Sequence, residues 1–381
     1  MKRFFDHSRR LVDRQAGALL LSGLIGVLIH NWRLWQRDRT LGQDLADPPA
    51  PPALSRTPLV SVLVAAWNER DHIDAHIRSF LALRYPQIEL ILCAGGDDDT
   101  RARAQRYADQ RIIVLEQRPG EGKQRALARC FTRARGELIY LTDADCRYDD
   151  AALARLLAPL IDEGEQAATG RSRPLDAQMR HALPRYIWAA DVASSARSSR
   201  YSDGLLGRNA AVTRQAIERI GGLDFVARTG TDYQLARRLL RRGIAIRFVG
   251  ASVVASEYPA TLGVYRRKQS RWLRNLLIHG AADGARADVR RTLQTIATGA
   301  VMTLAPLLSL AAGRVVLVVW SLLLAQAVCA KLRAIRLSAQ LYRQRTPRRL
   351  LLKLVPLTLA DFVIWALPAL DMLDQRRRAR W

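Results

Sequence analysis

Asp143 and Asp145 stand two residues apart, just past a short apolar run at 137–141, in a chain of 381 residues. In extended backbone, residues two apart face the same side, so both carboxylates can reach one point. Hard oxygen ligands of this type suit Mg²⁺ or Mn²⁺, which complete their shells with water and substrate phosphates. An Asp-x-Asp pair alone also describes a solvated turn. Its setting after a buried strand, between Gly136-Glu137 and Cys146, favours chemistry. Two further apolar runs end in the same way: 59–66 is followed by Trp67-Asn68-Glu69, and 88–93 by Gly95-Gly96-Asp97-Asp98-Asp99-Thr100. Ligands of an open parallel sheet bind beyond the carboxyl ends of its strands. Three strand ends therefore bring acid to one edge, which calls for a cation or a donor-rich ligand. Further along, Asp232 opens an amphipathic run at 233–240. A carboxylate there can cap the helix.

The elements that must hold these groups are legible as alternation. Apolar, β-branched runs at 59–66, 88–93, 112–115 and 137–141 predict buried parallel strands. Segments near 70–83, 99–108, 122–134 and 150–161 predict crossover helices. This predicts an α/β fold, an open and mostly parallel sheet. No internal repeat is visible.

Composition bounds the rest. The chain is 49% apolar, which excludes a disordered polymer. Its 60 Lys+Arg against 35 Asp+Glu give a formal net charge of +25. Five of the basic residues are Lys and the rest Arg, a ratio that arginine-rich codon usage explains. The densest basic segments flank apolar spans and not a recognition helix, which argues against nucleic acid. Residues 15–32 carry no formal charge and span roughly 27 Å as a helix, close to the thickness of a bilayer core. No small-residue cleavage site follows, so this run is expected to be a retained anchor. Residues 292–312 and 315–330 predict a helical hairpin with Gly313-Arg314 at its tip. A fourth apolar stretch, 350–373, contains Lys353, Asp361 and Asp371, and is expected to span or to lie partly in the interface. The segment 331–349 holds seven basic residues and no acid. The positive-inside rule assigns it, and with it the α/β domain, to the cytoplasm. Lys2, Arg3, Arg9, Arg10 and Arg14 before the first helix pull the other way. The expected location is the cell (inner) membrane, multi-pass, with the domain cytoplasmic. Four cysteines (Cys93, Cys130, Cys146 and Cys329) show no CxxC spacing, so neither a disulfide framework nor a cysteine zinc site is expected.

Residues 58 to 275 resemble a glycosyltransferase family 2 domain, the inverting GT-A type. "VSVLVAAWNER" resembles the first strand and its Asn-Glu turn, and "GEGKQRALARC" the Gly-Lys-x-x-Ala-Leu helix start. "RGELIYLTDADCRYDDAAL" is similar to the metal-binding strand and turn. "GRNAAVTRQAIERIGGLDFVARTGTDYQLARRLLRRG" resembles the acceptor-side segment, and "RKQSRWLRN" the membrane-proximal QxxRW motif. The resemblance implies that Glu69, Asp98, Lys123 and Asp143 bind the donor and that Asp145, with Asp143, holds the cation. It implies Asp232 as general base, and Arg271, Trp272 and Gln269 near diphosphate and acceptor. The sequence departs from the pattern at Cys93-Ala94-Gly95, where acids are common, at Thr231 in place of a Glu, and at Lys268 in place of the first Gln.

Other motifs are weaker. Gly120-Glu121-Gly122-Lys123-Gln124 lacks the spacing of a phosphate-binding Walker loop. His72 and His76, four apart on an expected helix, have no third metal ligand, so a solvated helix face is expected for both. The layout expected is an anchor at 1–35, a Pro-rich linker at 36–57, a GT-A domain at 58–290, transmembrane helices at 291–373 and a basic tail at 374–381. The expected protein is a membrane-bound, metal-dependent hexosyltransferase of the cell envelope. It would move a sugar from a nucleoside-diphosphate sugar to a lipid-linked or glycan hydroxyl, with Mg²⁺ or Mn²⁺. The alternatives are a processive polysaccharide synthase, a polyprenyl-phosphate glycosyltransferase and a catalytically silent membrane scaffold.

Overall fold

The computed structural model describes residues 2–46, 50–196, 200–225, 227 and 230–373. The chain opens with helix α1 (Lys2–Ala46), then β1 (Val60–Trp67), α2 (Ile73–Leu81), β2 (Ile88–Gly95), α3 (Thr100–Gln105) and β3 (Ile112–Glu116). There follow α4 (Gly122–Arg133), β4 (Leu138–Leu141), α5 (Asp150–Asp162), β5 (Ala167–Pro174), α6 (Ala182–Ser195), β6 (Tyr201–Ser202), β7 (Ala210–Thr213) and α7 (Arg214–Arg219). The last elements are α8 (Thr231–Arg241), β8 (Ile246–Ser256), α9 (Leu262–Ala282), α10 (Arg286–Ala312), α11 (Arg314–Leu341), α12 (Arg348–Leu352) and α13 (Leu354–Leu373). They form two compact units. Pro48–Ala177 and Ser194–Tyr258 carry the sheet; Met1–Asp47, Gln178–Ala193 and Pro259–Trp381 form a helical unit.

In the sheet unit, the strand order is β3-β2-β1-β4-β7-β5-β8-β6. The β3-β2-β1-β4 half is parallel throughout, whereas β7 runs antiparallel to both β4 and β5. The four expected strands and four crossover helices all form, their ends shifted by a few residues. Both sheet faces are covered, which is why the strands read as continuous apolar runs and not as alternation. Val60, Val62 and Val64 pack with Ile77 and Phe80 of α2 and Leu156 and Leu157 of α5. Leu63, Ile91 and Ile139 pack on the opposite face with Leu127 of α4 and Leu235 and Leu239 of α8. One buried acid locks the approach to β4. Glu89, 2% exposed, accepts from Ser61 at 2.7 Å, from the Arg135 amide at 2.8 Å and from the Arg135 guanidinium at 2.9 and 2.7 Å.

In the helical unit, α1 and α11 lie parallel. Asn31 meets Gln326 at 2.6 Å, Arg333 meets Asp38 at 2.9 Å, and Gln340 reaches the Arg39 carbonyl at 3.0 Å, so position rises together on both helices. α10 and α11 form the expected hairpin, turning at Gly313 with φ +90°. Among the described residues, three helical stretches are long and apolar enough to cross a membrane: Gln15–Gly42, Arg286–Ser309 and Arg314–Leu341. The fourth expected stretch is different. It breaks at Lys353 into α12 and α13, and its apolar part, Leu354–Ala369, is shorter than those three.

Three boundaries differ from those read in the sequence. Helix α1 continues to Ala46, through part of the assigned linker, because residues 33–46 contain no proline. Helix α11 likewise runs through Lys331 and Arg336 to Leu341, so the basic segment begins as helix. The sheet domain also excludes 178–193 and 259–290. Those residues belong to the helical unit, where Tyr186 and Ala189 of α6 share a core with Ala334, Ile335, Leu350 and Leu354. Residues 50–57 have no regular structure; 47–49 and the tail 374–381 lie outside the described residues.

Candidate active site

The sheet changes direction of winding between β1 and β4, since β2 follows β1 on one side and β4 lies on the other. That switch point is where an open α/β sheet offers a crevice. Asn68 and Glu69 leave the end of β1 there, and Asp143 and Asp145 leave the end of β4.

The β1 exit is held by close backbone approach. Asn68 has φ +59°, and its Oδ1 accepts from the Asp97 amide at 2.7 Å. Gly96 has φ +127°, and a Cβ there would lie 2.1 Å from Asn68 Oδ1, so the position admits only glycine. Asp98 is engaged within this loop. It accepts from the Thr100 amide at 3.0 Å, the Thr100 hydroxyl at 2.5 Å and the Arg70 amide at 3.2 Å. Partial burial alone would raise its pKa, but these hydrogen bonds outweigh that effect and lower it. Its expected contact with the donor thus competes with a fastening role for the loop.

The β4 exit is fastened from beneath by His76. This residue is fully buried, not on a solvated face, because it lies on the apolar stripe Ile73-His76-Ile77-Phe80 of α2. Its Nδ1 donates to the Cys146 carbonyl at 2.9 Å, and burial pushes its pKa down to about 4, so the ring is neutral at pH 7. His72 is not free either. Its Nε2 lies 3.4 Å from Glu257, whose hydrogen bond is the main cause of its raised pKa.

Carboxylates crowd this edge. Burial, followed by the charges of Asp145, Asp143 and Glu257, pushes Glu69 up to about 7. Two cations oppose them. Lys123, at the start of α4, sits 2.5 Å from Asp143. Its desolvation would lower its pKa, but the charges of Asp143 and Asp232 hold it raised. Arg208 donates to Ser256 Oγ at 3.1 Å, and that hydroxyl donates to Asp145 at 3.3 Å. Burial would lower the Arg208 pKa; Tyr258, Cys146, Asp145 and Asp143 raise it. Sequence reasoning missed Arg208, Glu257 and Asn209. Asn209 is fully buried and fixes the Arg208 loop, donating to the Arg171 and Ser252 carbonyls at 3.0 and 3.1 Å.

Asp232 lies in the first turn of α8, after Gly230 with φ +68°. It lines a small hollow with Lys123, Gly207 and Thr231 over Leu127 and Leu235. Gly207 fits closely: a Cβ there would lie 3.0 Å from the Asp232 Cβ. Gly207→Ala is therefore expected to push the Asp232 carboxylate aside by a few tenths of an ångström. On the general-base role expected for Asp232, such misplacement costs about tenfold in kcat with little change in melting temperature. Arg271, Trp272 and Gln269 lie on α9 in the helical unit; Trp272 is 55% exposed.

The donor set suits a hard divalent cation. Among the described residues no three acidic, His or Cys side chains converge closely enough to hold a metal alone. Asp145 and Asp143 would therefore share an ion with water and substrate phosphate oxygens, the usual state of Mg²⁺ sites. Glu69 gives a pH test. Its pKa rises from 4.5 to about 7 on folding, so the folded chain holds an extra proton between those values. Ligand-free stability is accordingly expected to fall as pH rises from 4.5 to about 7. Glu69→Gln is expected to melt higher than the wild type at pH 8; thermal melts across pH check the sign.

Residues 57–275, more than half of the chain, match the family described as Glycosyltransferase like family 2. The probable glycosyltransferase YdaM of Bacillus subtilis is 28% identical over 236 residues, covering 58% of this chain and 56% of YdaM. An Escherichia coli protein, the UDP-Glc:alpha-D-GlcNAc-diphosphoundecaprenol beta-1,3-glucosyltransferase WfaP, is 34% identical over 88 residues, covering 23% of this chain and 35% of WfaP. The chain thus spans little more than half the length of the first relative and about a third of the second. Among solved structures, the mannosyltransferase PcManGT from Pyrobaculum calidifontis, in complex with GDP-Man and Mn²⁺, superposes with a TM-score of 0.51 at 19% identity. It covers 95% of this chain and 99% of its own, a likeness of fold.

Proposed function

Because the chain belongs to the glycosyltransferase-like family 2, we propose that it transfers a hexose, with inversion, from a nucleoside-diphosphate sugar to a hydroxyl presented at a membrane. The observation that carries this reading is the arrangement around Lys123. Its ammonium pairs with Asp143 at 2.5 Å and lines the same small hollow as Asp232. The acceptor oxygen attacks the anomeric carbon, the bond from that carbon to the β-phosphate oxygen breaks, and the nucleoside diphosphate leaves with the electron pair. Asp232 takes the acceptor proton, a contribution of typically 10²–10⁴-fold. Lys123 and Arg208 offset the negative charge that gathers on the departing diphosphate. Glu69 and Asp98 orient the nucleoside end of the donor. A divalent ion held by Asp145 and Asp143, when bound, supplies Lewis-acid neutralisation of the leaving group. Arg271, Trp272 and Gln269 are read as acceptor-side groups.

The acceptor class is a lipid-linked glycan hydroxyl, the class that appears in the name of the Escherichia coli relative. Three candidate spans support a multi-pass location in the cell membrane. The parallel pairing of α1 with α11 bears on orientation. The carboxyl ends of both helices share one side, so the basic 331–349 segment and the chain following α1 share it too. By the positive-inside rule that side is cytoplasmic. The five basic residues at 2–14 then lie at the far end of α1, against the local charge bias.

The test is donor screening. Membranes containing the protein are incubated with labelled nucleotide sugars and Mn²⁺. Label is expected in the lipid extract and is expected to disappear with Asp145→Ala. Label confined to insoluble polymer would point to processive synthesis. No transfer, with nucleotide affinity indifferent to Mn²⁺, would leave a silent scaffold.

A further inference from the structure

We infer that the helical unit holds one anionic phospholipid of the bilayer in a groove between the end of α9 and the start of α10. The groove has a volume of about 690 Å³, within the range of small-molecule sites. Apart from Gln294, its floor and walls are small or apolar, with Gly280 and Gly284 at one end and Val289, Leu293 and Ala297 along α10. Its charged rim is Arg286 and Arg290, one helical turn apart. Among the described residues neither guanidinium forms an ion pair or a hydrogen bond, and both residues are exposed.

Two observations choose the occupant. First, Arg286 begins the stretch Arg286–Ser309, one of the three candidate spans, so both guanidinium groups stand at the membrane-surface end of that helix. Second, beyond the groove α10 goes on exposing large apolar side chains, Val301 at 58%, Leu304 at 51% and Leu307 at 65%. A molecule that fits must present a negative head group at one end and a hydrocarbon chain along the helix. Guanidinium forks bind phosphate oxygens bidentately, which a Lys would not do. The phosphodiester sits on Arg286 and Arg290, and one acyl chain follows Val289, Leu293 and Ala297.

This inference rests on the membrane location proposed above, and the experiment separates the two. The full chain is extracted in mild detergent, and native mass spectrometry follows bound phosphatidylglycerol against phosphatidylcholine. Preferential retention of one phosphatidylglycerol is expected. Arg286→Gln/Arg290→Gln is expected to reduce retention by about fivefold per arginine. Ala297→Phe, which fills the groove while keeping the helix apolar, is expected to reduce it with both charges intact. Arg291→Gln, one residue outside the groove lining, is expected to leave retention unchanged. Equal loss in Arg291→Gln, or full retention in Ala297→Phe, would reduce the site to diffuse surface charge and overturn the inference. A co-purifying polyprenyl phosphate in place of phospholipid, or a dimer abolished by Ala297→Phe, would overturn it as well. Release of the wild-type chain from membranes by alkaline carbonate would instead remove the membrane location itself.

Discussion

Asp232→Asn is expected to lower kcat by about 10²–10⁴-fold while leaving KM for the donor within a small factor. Asn keeps the size and the local helix contacts, including acceptance from the Tyr233 amide, which lies 3.0 Å from Asp232 Oδ1. It cannot take a proton from an acceptor hydroxyl. The donor site should be nearly untouched, because Asp143, Asp145 and Glu69 all lie at the β1 and β4 exits and not on α8. Loss in kcat alone marks a group that works in the transition state. Initial rates over a range of donor and acceptor concentrations decide the matter. Full activity in Asp232→Asn would indicate an acceptor that needs no base, such as a lipid phosphate already ionised at neutral pH. The hydroxyl assignment would then fall while the donor chemistry stood. Gly207→Ala is the complementary probe, since it keeps the carboxylate and only moves it.

Strands β1, β2 and β4 were readable because both of their faces are buried, which leaves continuous apolar runs that polar loops interrupt abruptly. The acids at the strand ends stand out for the same reason, since Asp143 and Asp145 come abruptly after the buried Leu141 and Thr142. What escaped depends on tertiary contact. Arg208 is one arginine in a chain that uses arginine heavily, and nothing in its neighbours signals that Ser256, 48 residues away, bridges it to Asp145. Glu257 is equally silent, since it meets His72 only once β8 has joined the sheet. His76 is a different case. It falls on the apolar stripe of α2, and that stripe was present in the sequence. The solvated face expected for both histidines neglects that period, which places His76 with Ile73, Ile77 and Phe80. The division into units was also hidden. Helices α6 and α9 carry charged and aromatic residues suited to either environment, and only their packing assigns them to the helical unit.

Asp361→Ala is expected to be the most destabilising single change in the helical unit. The apolar stretch 350–373 contains this acid without an obvious reason, and the structure supplies one. Asp361 is fully buried on α13 and accepts from Tyr186 of α6 at 2.7 Å, from Tyr265 of α9 at 2.9 Å and from Lys331 of α11 at 2.6 Å. Four helices meet on one carboxylate. The Lys331 ammonium also lies 4.6 Å from the centre of the Tyr186 ring, so the cation has a second favourable contact. Removing the acid leaves a mostly buried ammonium, 18% exposed, and two phenol hydroxyls with no acceptor. Breaking a buried pair from one side typically costs about 3–5 kcal/mol, far more than deleting both partners together. Asp361→Asn is expected to cost less, since its one carbonyl oxygen still accepts where Oδ2 accepts from Tyr186 and Lys331, while its NH2 takes the place of the oxygen that accepts from Tyr265. The double change Asp361→Leu/Lys331→Met should recover most of the loss, because no charge then remains unpaired. Melting temperatures of the double variant and of its two component singles, Asp361→Leu and Lys331→Met, give the comparison in detergent, with the coupling energy read from that cycle. Helix α9 also carries Arg271 and Trp272, so Asp361→Asn has a second expected consequence. On the acceptor-side reading proposed for Arg271 and Trp272, looser holding of Tyr265 should raise acceptor KM and leave donor KM constant. If Asp361→Ala melts like the wild type, the carboxylate is not the knot that joins these helices, and α9 takes its position from apolar packing alone.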